Sequence, residues 1–153
     1  MTKSFSLQPL LHLAKQKNDA ATKKLGLLNR GQKTAQDKLE MLQQYRKDYQ
    51  EKMQQAEKNG MGLQDLRNFQ DFIYRLDDAI TQQSAVVAQA QISVQTGRSE
   101  LSEAQRRMKS FDTLAHRHAE TEKKLETKIE QRMQDEHSGR HAAYKNAEHS
   151  EEN

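Results

Sequence analysis

Stepping by seven from Leu7 picks out Leu7, Ala14, Ala21, Leu28, Ala35, Leu42, Tyr49 and Ala56, a row without a charged or amide side chain. A partner row four residues on runs Leu11, Asn18, Leu25, Gln32, Leu39, Arg46 and Met53. Apolar rows at alternating spacings of four and three are the a/d stripe of a coiled coil, and they predict one long helix. The pattern restarts after residue 63. Leu66, Ile73, Ile80, Val87, Val94, Leu101, Met108 and Ala115 form an a row, and Phe69, Leu76, Gln83, Ala90, Gly97, Ala104 and Phe111 the matching d row.

Between the two stripes lies AEKNGMGLQDL, where two glycines stand within three residues of each other. Asn59 and Gly60 suit a left-handed cap that ends a helix. At the other end, Ser6 is placed as an N-cap, Phe5 and Leu10 as a hydrophobic staple, and Pro9 falls in the tolerant first turn. If the second helix folds back on the first, pairing residues whose numbers sum to 122 aligns every core position. Leu25 then faces Gly97, Ala35 faces Val87 and Met53 faces Phe69, so small mostly meets large. Sums of 115 and 129 also match the heptads, but they centre the turn near residue 57 or 64, whereas 122 centres it on Met61 within NGMG. The predicted fold is all-α, a long two-helix antiparallel coiled-coil hairpin. Its first helix spans about 7–58, the turn 59–63 and the second helix about 64–138.

The second helix outruns the first. Ser6 is matched near residue 116, while the helical pattern persists through Leu125, Ile129 and Met133, leaving a C-terminal overhang of about 20 residues, or some 30 Å. Gly139 reads as the helix end, so residues 1–139 form the hairpin domain and 140–153 a disordered polar tail.

Composition fits a thin seam. Hydrophobic residues are 33% and charged residues 31% of 153, too little apolar matter for a thick core. The charge is uneven: residues 1–58 carry 12 Lys+Arg against 6 Asp+Glu, and residues 111–153 carry 7 against 10. That asymmetry favours folding one end onto the other and argues against nucleic acid as the partner. There is no cysteine, hence no disulfide or thiolate metal site. No signal peptide is expected, nor any apolar run long enough for a transmembrane segment.

Candidate chemistry is sparse. GLLNRGQKT (residues 26–34) has a superficial likeness to a phosphate-binding loop, but Gln32 separates Gly31 from Lys33 and the helical stripe runs straight through it. His137 and His141 have the i, i+4 spacing of two ligands on one helical face without an obvious third. No cleft is expected to hold a substrate, so the chain reads as a non-enzyme without cofactor or metal. Aromatic residues are few, and five of the eight lie between 45 and 74. In the proposed register Leu42, Tyr45, Tyr49, Phe72, Leu76 and Ala79 form one band near the tip, with Tyr45 and Phe72 beside the seam. The band is either a widened core that stiffens the turn or a face for docking a partner.

The ordered combination of LQPLLHLAKQKNDAA, LEMLQQYRKDY, an Asn-Gly turn and NFQDFIYRLDDAI resembles the FliJ family of flagellar type III export proteins over nearly the whole chain. The resemblance implies a stalk whose terminal end enters the hexameric export ATPase and promotes its assembly and activity. It implies further partners: the cytoplasmic linker of the membrane export gate protein, the ATPase regulator and the export chaperones. It also implies a location at the cytoplasmic face of the inner membrane at the flagellar base. Leu42, Tyr45, Tyr49, Phe72, Leu76 and Ala79 match the gate-binding face; Lys38 and Gln83 fall at two further positions of it, where the family pattern has Gln and His. A stalk of a virulence-type secretion system, or a coiled-coil adaptor or nucleic-acid binder, are the alternative readings.

Overall fold

In the computed structural model, residues 4–151 are described, and they form two helices: α1 (Gln8–Lys58) and α2 (Leu63–Glu151). The helices pack against each other as an antiparallel hairpin, and no strand occurs among the described residues. Every position of the four heptad rows is buried or half-buried, while nearly all other positions are exposed. Seam and stripe are therefore the same residues. The core is thin: no described side chain falls below 2% exposure, and the most enclosed are Val94 and Leu11. The chain divides into two compact units, Gln16–Gln105 on its own and the residues up to Lys15 together with those from Arg106 on.

Within Gln16–Gln105 the turn occupies residues 59–62. Gly60 has φ of 81°, a conformation that costs a residue with a Cβ, and its N–H donates to the Glu57 carbonyl at 3.2 Å. Leu66 N–H donates to the Gly62 carbonyl at 3.1 Å, which opens α2, and Asp65 sits in its first turn where a negative charge complements the helix dipole. The partners found across the seam straddle the sum of 122. Ala35, Leu39 and Val87 form a cluster packed against Ile80 and Ala90, and Lys24 pairs with Glu100 at 3.0 Å. At Gly97 an added Cβ would stand 2.8 Å from Leu28 Cδ1 and 3.4 Å from Leu25 Cδ1, so the glycine is the notch that receives two leucines.

In the terminal unit Leu11 and Ala14 are buried, Phe111 and Ala115 half-buried, and the Phe5 ring lies 5.6 Å from that of His118. The N-terminal expectation needs one correction. Leu11 N–H donates to the Leu7 carbonyl, which makes Leu7, rather than Ser6, the N-cap. The Gln8 N–H is taken by the Phe5 carbonyl at 3.1 Å, so a backbone turn caps this donor in place of the Ser6 hydroxyl.

A second correction concerns the C-terminal end. Residues 140–151, expected as a disordered tail, are helical, and Gly139 lies inside α2. A glycine in a helix interior costs about 1 kcal/mol relative to alanine, but it stops a helix only by turning left-handed, and Gly60 alone among the described glycines has positive φ. Ala142 and Ala143 then carry the helix onward. From Lys123 to Glu151 every residue is exposed, a single-helix stretch of about 44 Å at roughly 1.5 Å per residue. Residues 152–153 lie outside the described part.

Candidate functional site: the tip face and the unpaired helix

At the tip, heptad geometry decides which side chains the seam takes and which it leaves outside. Tyr49 is a d residue, and its ring stacks on Phe72 at a centroid distance of 4.2 Å with a 30° tilt and meets Phe69 at 5.8 Å. Such offset aromatic pairs add about 0.5–1.5 kcal/mol beyond the area they bury. The Lys52 ammonium stands 5.7 Å from the Tyr49 centroid. Tyr45, Phe72 and Ala79 occupy g positions on one flank, and Tyr45 is 53% and Phe72 37% exposed. Lys38 shares that flank and is exposed. Tyr49, Ala56, Met61, Phe69 and Phe72 line an open groove of about 580 Å³ beside the turn.

The sequence-selected residues thus divide by accessibility. Tyr45 and Phe72 present their rings to solvent; Leu42, Tyr49 and Ala79 are half-buried; Leu76 is buried in the seam. Gln83 is also buried, at 7% exposure, and its Nε2 donates to the Ala35 carbonyl at 2.9 Å, so its amide is spent inside the hairpin. Two features escaped the sequence reading. The Arg46 guanidinium, at a core position, turns outward to pair with Asp77 and also donates to Gln50 Oε1 at 3.0 Å. The hydrogen bond that Arg46 donates to Asp77, then the carboxylate's charge, raises the Arg46 pKa above its ordinary value, so the guanidinium stays charged throughout the working range. The other is Met61 and Ala56, which line the groove at the turn. An i, i+4 acid-base spacing would not have revealed the first, because the pair joins two helices.

Farther along, in the terminal unit, Leu125, Ile129 and Met133 are 49%, 56% and 66% exposed. Leu125 and Ile129 continue the d and a rows of the seam, so they have the residue type of a packed position without a packing partner. His116 and Glu120 pair at 3.3 Å on the preceding turn. GLLNRGQKT lies wholly inside α1, which leaves no loop there to cradle a phosphate. His137 and His141 share one continuous helix, and no group of three metal-binding side chains gathers among the described residues. No helix of the described residues is long and apolar enough to cross a membrane.

Comparison with known proteins gives one clear result. A family model described as "Flagellar FliJ protein" matches residues 2–147, and no curated protein matches the sequence significantly. The match covers all of α1, the turn, the tip aromatics and α2 as far as residue 147. The chain therefore belongs to the FliJ family of flagellar proteins, non-catalytic stalk proteins related to flagellar export.

Proposed function

We propose that this chain is a stalk component that couples the hexameric flagellar export ATPase to the membrane export gate. Its C-terminal helix enters the central hole of the ATPase ring, and its tip face binds the cytoplasmic linker of the gate protein. In the same assembly it meets the ATPase regulator and export chaperones, at the cytoplasmic face of the inner membrane. The observation that carries this reading is the stretch from Lys123 to Glu151, helical yet exposed at every residue, with Leu125 and Ile129 still in seam register. An isolated helix in water is marginal, so a chain that continues the apolar pattern past its own partner invites an external one. A protein that binds the assembled ring and not its separate subunits drives assembly by mass action. The exposed rings of Tyr45 and Phe72 support the tip as the second contact, since aromatic anchors dominate binding energy at interfaces.

Ending the chain after Glu122 tests the ATPase contact. Every described residue removed is exposed, so the hairpin should melt as before while stimulation of the matching export ATPase is lost. Undiminished stimulation by the shortened protein would refute the pore assignment. For the gate contact, Tyr45→Ala should weaken binding to the linker of the gate protein with little change in melting, whereas Phe72→Ala also removes the stack on Tyr49 and should lower the melting temperature as well; Leu76 is unsuitable, because truncating a buried residue opens a cavity.

A further inference from the structure

A second groove runs along the hairpin, inside the Gln16–Gln105 unit and away from the tip. It consists of two adjoining depressions of about 390 Å³ and 200 Å³ that share Leu28, Gln89 and Ser93. Three large apolar side chains lie along it in the open: Leu27 at 65%, Val86 at 51% and Ile92 at 59% exposure. Scattered apolar residues on a surface need no explanation, but three along one groove do.

Gly31 supplies a second observation. It sits in the middle of α1, where glycine costs about 1 kcal/mol relative to alanine, and a Cβ built on it meets nothing within 4 Å. The hairpin's own packing therefore gives no reason for the glycine, in contrast to Gly97, whose Cβ would strike Leu28. What Gly31 does is deepen the floor of the groove, which it lines. Gly26 is equally open but lies about 140° round the helix from Gly31, outside the groove.

Charge gives the third. Residues 79–97 of α2 contain no charged residue, in a chain of which 31% is charged. The α1 stretch along the groove, from Lys23 to Ala35, contains Lys23, Lys24, Arg30 and Lys33 and no acid; Asp37 and Glu40 lie beyond it, level with the start of the neutral run. At about 100° per residue Lys23 and Arg30 follow Leu27 round the outer shoulder of the α1 wall, while Lys24 reaches Glu100. One wall is thus basic and the other neutral. Phosphate tracking would need cations along both walls, and the exposed Leu27 and Val86 would contribute nothing to it.

We propose that this groove docks an amphipathic helix of a partner protein, with an apolar face seated on Leu27, Val86 and Ile92, its backbone brought close over Gly31, and acidic residues along the edge that faces α1. The site is distinct from the tip face and from the unpaired end of α2, and it stands or falls independently of the reading above. Helix-in-groove docking takes its anchors from residues at i, i+3, i+4 and i+7, and the length from Lys24 to Ala35 matches about three helical turns.

The test uses the full chain and a fluorescein-labelled helical peptide of about 18 residues, with Leu on one face, Glu along one edge and Gln elsewhere. A control peptide carries Lys in place of Glu. Anisotropy at about 0.15 M salt should show saturable binding of the acidic peptide and about tenfold weaker binding of the basic one. Gly31→Leu, whose Cβ enters open space and whose side chain fills the floor, should weaken the acidic peptide about tenfold while melting no lower than the wild type. Val86→Glu should do the same by placing a like charge on the neutral wall. Equal binding of both peptides, or wild-type binding by both variants, would overturn the proposal. So would a single-stranded oligonucleotide that competes with the peptide, or sedimentation showing that a second copy of the chain fills the groove.

Discussion

Replacing Gln83 by leucine tests how this hairpin divides its stability between packing and polar contacts. Gln83 is a d residue at 7% exposure, adjacent to the Ala35–Leu39–Val87 cluster, and its one cross-helix hydrogen bond runs to the Ala35 carbonyl at 2.9 Å. That carbonyl lies inside α1 and keeps its own helical partner, so losing the amide leaves no acceptor bare. The bond removed has a net worth of about 0.5–1.5 kcal/mol. A leucine buried in its place contributes about 1.5–3 kcal/mol relative to an exposed one. The difference favours Gln83→Leu by about 1 kcal/mol, which for a chain of this size is a rise in Tm of about 2–4 °C. Gln83→Ala, which loses the bond and leaves space, should fall by about 1–2 kcal/mol. Thermal and urea unfolding followed by circular dichroism measure both. If Gln83→Leu melts several degrees lower than the wild type, the bond outweighs the packing, and treating the polar seam positions as sacrifices of stability is wrong.

Asn18 offers a simpler case: its Oδ1 is buried without a hydrogen-bond partner, so Asn18→Leu should stabilise by about 1–3 kcal/mol in the same melts. At the glycines the signs should oppose. Gly31→Ala gains about 1 kcal/mol of helix propensity, whereas Gly97→Leu drives a side chain into Leu25 and Leu28 and should cost about 1–3 kcal/mol by denaturant titration. Amide hydrogen exchange should be fast throughout residues 123–151 and slowest around Leu39 and Val87; protection of the former equal to that of the latter in the free protein would mean that the stretch has a partner in solution.

The sequence reveals the fold because a two-helix coiled coil has so little else to encode it. Each a and d residue from Leu7 to Ala115 is withdrawn from solvent, and the turn sits at the one place where glycine permits positive φ. Two kinds of information were not local enough to read. Whether Gly139 ends or merely weakens α2 depends on a balance of about 1 kcal/mol against the helix-forming residues after it, and composition alone does not weigh that. The heptad placed Tyr45 and Phe72 beside the seam, where they are found, but it assigns the flank and not the stacking, so the contacts of Tyr49 with Phe69 and Phe72 were not readable. The charge-free run at 79–97 and the open Gly31 were visible as letters, but became a groove only once Leu27 and Val86 were seen on the same side.

The heptad repeat by itself does not select a register, since shifts of seven residues keep apolar rows opposed. What selects it are the positions that break the repeat. Gly97 accepts Leu25 and Leu28; in the registers summing to 115 or 129 it would stand opposite Asn18 or Gln32 and leave a void. Arg46 reaches Asp77, and either shift would carry that pair roughly a helical turn or more apart. Gln83 finds the Ala35 carbonyl in this register, where a shift would set its amide level with Gln32 or with the Arg46 guanidinium. Each of these residues lowers the apolar content of the seam, and each loses its partner in the alternatives, which is the way a buried polar group fixes coiled-coil alignment. Alignment has two structural consequences: the turn sets which aromatics share the tip flank, and the same register sets how far α2 extends past α1.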